Sequence, residues 1–482
     1  MNFSIIDWSI ILVYLGLSMA AGLYGKRYIS STADFLVAGR GIGLYLGIST
    51  LAATEIGTVT FMYYAELGYK AGFASFINGL IAGSAMLAIG RSGFIIKRLR
   101  DLQLMTVPEY FERRYSRNLR VLTGVLVATG GILNMGVFLK IEGTFLAIIS
   151  GIPMQYLNLV MTGILLLELL YTVLGGMVSV VITDFIQFVA LSIAAVIVTV
   201  LSINAAGWQN MHDAVQRTMG ESGFSPTVNP QFGWTYIAFQ LLLWIAINTC
   251  WQTTAMRTFS TKDSAISARV FTWTGFIFLG RGMLPMVWGI AALAMLGPGQ
   301  GSLNAMPIML SRILPNGLRG IVVAGMLAAT MSVNSSYLLG WSSVIAQDIV
   351  GPLRREPLSS RAQVRLNRAT NLCVSLFVMF WGLWYTLPGP AYFYLSLTGT
   401  IFLGGSFASI VGGLYWKRAN VTGGYAAMLG GAFGTLAFFI LKWPASIAGF
   451  GAFVLAFGGL VVGSLLGGRN QNAGEPEPAA AD

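Results

Sequence analysis

The sequence predicts an all-α, polytopic membrane protein of about 13 transmembrane helices, built as two inverted five-helix repeats whose first helices are broken. Three observations predict it. Of 482 residues, 55% are hydrophobic and only 10% charged, with a mean hydropathy of +0.72; repeated apolar runs of about 20 residues are bilayer-crossing helices. The basic residues fall on alternate connections along the chain. Two apolar spans, five spans apart, carry polar residues at mid-depth.

Thirteen apolar spans are read at 4–25, 42–66, 72–95, 121–150, 153–174, 178–205, 233–256, 270–297, 318–349, 368–387, 391–415, 423–441 and 446–467. With the N-terminus outside, the connections after odd-numbered spans are cytoplasmic. They collect most of the 29 basic residues, Arg257, Lys262 and Arg269 after span seven among them. Only Lys70, Arg217, Arg312, Arg319 and Lys442 fall opposite, and Lys140 and Arg281 lie within spans. This is the positive-inside pattern, so the net charge of +11 is a topology signal and no nucleic acid is expected as a partner. The first apolar run lacks a basic flank, so no cleavable signal is expected. Cys250 and Cys373 both lie in apolar runs and are expected as free thiols.

Span nine contains Ala328-Ala329-Thr330-Met331-Ser332-Val333-Asn334-Ser335-Ser336. An unpaired polar group in hydrocarbon costs several kcal/mol, roughly, so this cluster must face protein, water or an ion. Ser332, Ser335 and Ser336 share one helix face. Hydroxyls without histidine or cysteine suit a hard cation such as sodium, the only metal expected here. Span six offers a partner in Gly175-Gly176-Met177-Val178-Ser179-Val180-Val181-Ile182-Thr183-Asp184-Phe185-Ile186-Gln187, with Asp184 early in its helix. A lone aspartate there could also serve only the helix dipole.

Spans two and seven carry the breaks. Span two reads Thr54-Glu55-Ile56-Gly57-Thr58-Val59-Thr60, and span seven reads Asn248-Thr249-Cys250-Trp251-Gln252-Thr253-Thr254. They run in opposite senses across the bilayer, as the opening helices of inverted repeats do. The threonines could simply bond back to their own helices. A mid-membrane carboxylate is different: it costs about 2.5–3.5 kcal/mol on insertion scales, which makes Glu55 a functional candidate. Its alternative role is a structural ion pair with Arg281 or Lys140.

These stretches resemble the sodium/solute symporter family, which shares the inverted-repeat fold of the bacterial leucine transporter. The resemblance runs from Asp34 to Leu466 and rests on four ordered motifs. Asp34-Phe35-Leu36-Val37-Ala38-Gly39-Arg40-Gly41 resembles the lead-in to the first core helix. Residues 175–188 resemble the fifth-helix signature, 328–348 the eighth core helix, and Tyr415-Trp416-Lys417-Arg418-Ala419-Asn420 the loop after the tenth. The resemblance implies a main sodium site from the carbonyls of Ala53, Ile56 and Ala329 with the Ser332 hydroxyl; Val333 stands where the family has a second hydroxyl. It also implies a second sodium site from Asp184, Ser332, Ser335 and Ser336. Glu55 either tunes the first site or carries a proton in its place.

Solute is expected between the breaks, at Glu55, Thr58, Thr60, Asn78, Asn248, Trp251 and Gln252, with Arg281 as a planar fork of donors for a carboxylate. The expected function is sodium-coupled symport of a small organic solute, with a carboxylate or amino acid preferred, by alternating access. A proton-coupled symporter using Glu55 and a transporter-like membrane sensor are the alternatives. A channel would need a continuous polar pore, and an enzyme a nucleophile–base pair; neither is visible. The expected divisions are an extra N-terminal helix and loop at 1–33, the transporter core at 34–417, two C-terminal helices at 418–469 and a disordered cytoplasmic tail at 470–482. Expected partners are the solute, sodium and the lipid bilayer of the inner membrane, with the C-terminus cytoplasmic and the chain a monomer.

Overall fold

Nearly every residue of the computed structural model, which describes residues 3–354, 356, 358–385 and 390–468, belongs to a helix or a short connection. The expected tail at 470–482 lies outside the described residues. The long helices, in chain order, are α1 (Ile5–Gly25), α2 (Leu44–Glu55), α3 (Thr58–Ala71), α4 (Ile77–Ser92), α5 (Arg117–Met135), α6 (Phe138–Ser150) and α7 (Leu157–Ala206). They continue with α8 (Trp234–Cys250), α9 (Gln252–Ser260), α10 (Ser264–Leu296), α11 (Leu318–Val344), α12 (Ser360–Trp384), α13 (Ala391–Tyr415), α14 (Val421–Leu441) and α15 (Ala445–Leu466). Among the described residues nine helices are long and apolar enough to cross a bilayer, and Trp234–Cys250 is a shorter apolar helix. Each of the thirteen expected spans overlaps a helix, several of them short or interrupted.

Both expected interruptions are present. Between α2 and α3, Ile56 (φ −111°, ψ 85°) and Gly57 (φ −102°, ψ 166°) leave helical geometry. Between α8 and α9 the break is at Trp251 (φ −67°, ψ 125°). The first lies in a run of glycine, threonine and β-branched residues, which resist helix propagation. A third bend divides α7 at Gly176, whose φ of 50° and ψ of −157° leave the helical region. A side chain there would meet the Phe35 carbonyl at 2.7 Å, so positive φ and close approach both require glycine.

The broken helices are also tied together at one end. Ile42, ahead of α2, donates its N–H to the Ser260 carbonyl (3.0 Å) and accepts from the Lys262 N–H (3.0 Å). Arg100 clamps the same segment through the Thr261 and Lys262 carbonyls (2.7 and 2.9 Å). Helix α11 runs through the middle of the bundle: 94% of the apolar stretch of Leu318–Leu353 is buried, against 28% for α1. Its serines therefore meet protein and not lipid, as the hydrocarbon argument demanded. It packs along α7, α10 packs along α4, and α14 along α15.

Close backbone contact sets the α3–α10 seam. A Cβ on Gly289 would lie 1.9 Å from the Ala65 carbonyl oxygen. Gly289→Val should therefore destabilise the purified protein by about 1–3 kcal/mol, the usual cost of overpacking. A thermal melt in detergent checks this, and an unchanged midpoint would show that the seam can relax.

Candidate functional site

The first break frees backbone groups that a continuous helix would use. Gly57 N–H turns to Thr60 Oγ1 (3.3 Å) and away from the Ala53 carbonyl, and Thr60 Oγ1 donates to the Glu55 carbonyl (3.3 Å). Carbonyls near a break are available to an ion or a solute. Facing them across the gap is Val333, with Cγ2 2.8 Å from where a Gly57 Cβ would stand. The position offers methyl groups and no oxygen.

Glu55 is held by the other broken helix. Its Oε1 accepts from Thr253 Oγ1 (3.0 Å) and Thr254 Oγ1 (2.9 Å), both on α9 just past the Trp251 break. The two breaks thus meet through one buried carboxylate. Neither expected ion pair forms: Lys140 donates to the Tyr385 carbonyl (3.1 Å), and Arg281 makes no salt bridge among the described residues. The Arg281 guanidinium sits over Phe278 (4.6 Å) and Trp244 (5.3 Å), and its Nη2 reaches Tyr63 Oη at 3.5 Å. Its Nε and Nη1 are buried without a hydrogen-bond partner among the described residues.

A partly open cavity lies between the breaks. Of the expected solute residues, Glu55, Thr60, Trp251 and Arg281 line it, with Val333 beside them. The other four expected solute residues do not line it. Thr58 donates to the Met326 carbonyl (2.6 Å), and Asn78 accepts from Tyr236 (2.5 Å) and Tyr392 (3.2 Å). Gln252 accepts from the Val107 N–H (2.9 Å). Asn248 is buried, its side-chain amide without a hydrogen-bond partner among the described residues. Sequence reading missed Tyr63, Asn134, Trp244, Tyr337 and Tyr392, which complete the wall. Trp251 itself stacks on Phe402 (5.4 Å, 28°) and meets Trp341 edge-on, so it builds the wall as well as facing the cavity.

The second constellation also assembles. Asp184 is fully buried and accepts from Ser332 Oγ (2.5 Å, at Oδ1) and Thr50 Oγ1 (2.5 Å, at Oδ2). A third donor comes with a charge: Arg257 Nη2 reaches Asp184 Oδ2 at 3.2 Å and also donates to Ser336 Oγ. Ser336 Oγ pairs with Thr54 (3.2 Å), while Ser335 Oγ bonds back to the Ser332 carbonyl (3.1 Å). Arg257, expected in a cytoplasmic connection, is 2% exposed in α9. The break at Trp251 restarts the helix and carries it inward, and an apolar-run reading ends the span too early. Glu142 was also missed. It is buried on α6 and accepts from Asn334 Nδ2 (2.9 Å).

The family model for sodium:solute symporters matches residues 35–431. The chain belongs to that family. Among relatives, a sodium/glucose cotransporter of Vibrio parahaemolyticus is 24% identical, over 87% of this chain and 82% of its own. A sodium/sialic acid symporter of Aliivibrio fischeri is 24% identical, over 89% and 86%. A sodium/proline symporter of Staphylococcus aureus is 24% identical, over 88% and 83%. These relatives are transporters, in keeping with a chain that is not an enzyme. The fold is similar to that of a substrate-bound, outward-open Na+-coupled sialic acid symporter, with a TM-score of 0.82 at 20% identity over 96% of this chain and 98% of the other. It is less similar to a closed nucleobase-cation-symport-1 transporter, with a TM-score of 0.59 at 11% identity over 91% and 96%.

Glu55→Gln keeps an acceptor oxygen for both threonines and removes the charge. We expect a melting temperature within a few degrees of the parent and solute uptake lower by about tenfold or more, a loss of at least ~1.4 kcal/mol. Normal uptake into proteoliposomes would remove Glu55 from the working site.

Proposed function

We propose that this chain is a sodium-coupled symporter of a small organic solute bearing a carboxylate, working by alternating access as a multi-pass protein of the inner membrane with its C-terminus cytoplasmic. The observation that carries the solute class is Arg281. A buried guanidinium beside a cavity, whose Nε and Nη1 have no hydrogen-bond partner among the described residues, keeps N–H donors on both of its forked edges for a planar anion. The aromatic groups beneath it shield that fork from water, which strengthens a charge-assisted bond. Glu55, at the same cavity, suits a solute that also carries an ammonium, so an amino acid meets both groups.

For the ion, the reading uses the carbonyls of Ala53, Ile56 and Ala329 with the Ser332 hydroxyl. Ser332 gives its proton to Asp184, which leaves the oxygen lone pairs for a cation. Around the breaks the buried carboxylates are Glu55, Glu142 and Asp184, and the buried cations are Arg257 and Arg281. With all five ionised, one further positive charge balances the set. A single sodium ion does this. A proton would also do so, and Glu55 together with Val333 at the first site favours that second reading.

One sodium moving inward across 100 mV releases about 2.3 kcal/mol, enough for nearly two decades of accumulation. Uptake of labelled amino acids and small carboxylates into proteoliposomes, under a sodium gradient and separately a proton gradient, tests the coupling. Sodium-driven uptake is expected, and uptake indifferent to sodium would sink that half. Arg281→Lys keeps the charge and loses the fork, so KM for the transported carboxylate should rise about 10–100-fold, roughly 1.4–2.8 kcal/mol. An unchanged KM would assign Arg281 to packing.

A further inference from the structure

The cage built by Asp184 and the α11 hydroxyls has the ligands for a monovalent cation, and a positive charge already stands in it. Arg257 enters from α9 with its side chain 1% exposed. Its Nη2 bridges Asp184 Oδ2 and Ser336 Oγ, and its Nε points to Thr50 Oγ1 at 3.4 Å.

The carboxylate that a sodium ion would need there is engaged at both oxygens, and Ser336 already accepts from the guanidinium. Asp184 Oδ2 accepts from Thr50 and from Arg257, and its Oδ1 accepts from Ser332. Ser336 Oγ accepts from Arg257 and pairs with Thr54, and the Ser335 hydroxyl turns to its own helix. A second cation would have to displace the guanidinium or share one carboxylate with it at contact distance, in a site from which water is excluded and like charges repel strongly. Arginine stays protonated at any physiological pH, so the occupant cannot leave by losing a proton. Its chain is anchored in a helix, so it cannot diffuse away.

We propose that Arg257 is the resident cation of this cage: the Asp184–Ser332–Ser336 constellation binds no sodium, and the chain carries at most one sodium ion per solute. Arg257 is thereby the residue that sets ion stoichiometry. Only the stoichiometry rests on the sodium-coupled reading above; occupancy of the cage does not.

The test is the number of sodium ions bound per chain, measured with radioactive sodium on purified full-length protein at saturating concentration. The parent should bind one or none. Arg257→Met, close in length and uncharged, leaves Asp184 without a counter-charge and should bind one ion more than the parent. Arg257→Lys keeps the charge and should add none. Asp184→Asn combined with Arg257→Met should abolish the added ion. Two ions in the parent would overturn the proposal, as would a folded Arg257→Met protein that gains none. A parent that binds none, with a gain of one in Arg257→Met, would support the cage assignment while removing sodium from the proposed transport cycle. Should Arg257→Met not fold, the count in the parent still decides: two overturns the proposal, and one or none supports it.

Discussion

A carboxylate buried at the centre of a helical membrane protein has to be compensated, and the arrangement around Asp184 follows from that constraint. A buried charge left unpaired typically costs about 3–5 kcal/mol when its partner is removed. Here compensation comes from three donors on three helices: Thr50 on α2, Ser332 on α11 and Arg257 on α9. Each of those helices must therefore be where it is for the charge to be tolerated. The bend at Gly176 and the break at Trp251 belong to the same solution, because they aim α7 and α9 at each other.

Glu55 imposes a similar requirement from the other side. Its donors, Thr253 and Thr254, sit on α9, a turn before Arg257. One short helix thus neutralises or satisfies both acids, Glu55 through hydroxyls and Asp184 through a guanidinium. The bridge from Ile42 to Ser260 and Lys262 fixes the far end of α9 to the start of α2. The two broken helices are joined at the membrane centre and again at that end. A conformational change that separated them would have to break several buried hydrogen bonds together, those to charged groups being worth about 1.5–3 kcal/mol each. Movement of the pair as one body breaks fewer of them.

How much of this was legible in the sequence depends on what kind of force positions each group. The breaks at Gly57 and Trp251, the enclosed serine face of α11 and the pairing of Ser332 with Asp184 were readable because local chemistry decides them. Hydrocarbon excludes unpaired polar groups, so where such groups cluster the helix must face protein. Asn78 and Gln252 were misplaced because a polar residue in a span says that a partner exists, not which one. Tyr236 and Tyr392 take Asn78, and a backbone N–H at Val107 takes Gln252. Arg257 was assigned to a cytoplasmic connection because charge at the end of an apolar run normally marks the membrane boundary. The signal that could have found it is Asp184 itself: a buried acid on span six needs a cation, and α9 offers the arginine that reaches it.

Ser332 is where the two ion constellations touch, and its geometry shows how one helical turn separates them. The hydroxyl proton points to Asp184, so the oxygen presents lone pairs elsewhere, while the next side chain, Val333, covers the Gly57 break with methyl groups. One turn on, Ser336 takes the guanidinium. Positive charge on Arg257 withdraws electron density from Asp184 and so weakens the pull of Asp184 on the Ser332 proton. A change in the cage therefore alters the basicity of the oxygen that faces the first break. If Arg257 is the resident cation proposed above, the valine and the arginine act in the same direction on α11, one offering methyl groups in place of an oxygen and the other supplying the charge in advance. On the proposed reading, what remains for an ion is the set of backbone carbonyls at the first break and one hydroxyl, a site without a charged ligand of its own. Glu142, which takes Asn334, stands across α11 from Ser336, which takes Arg257.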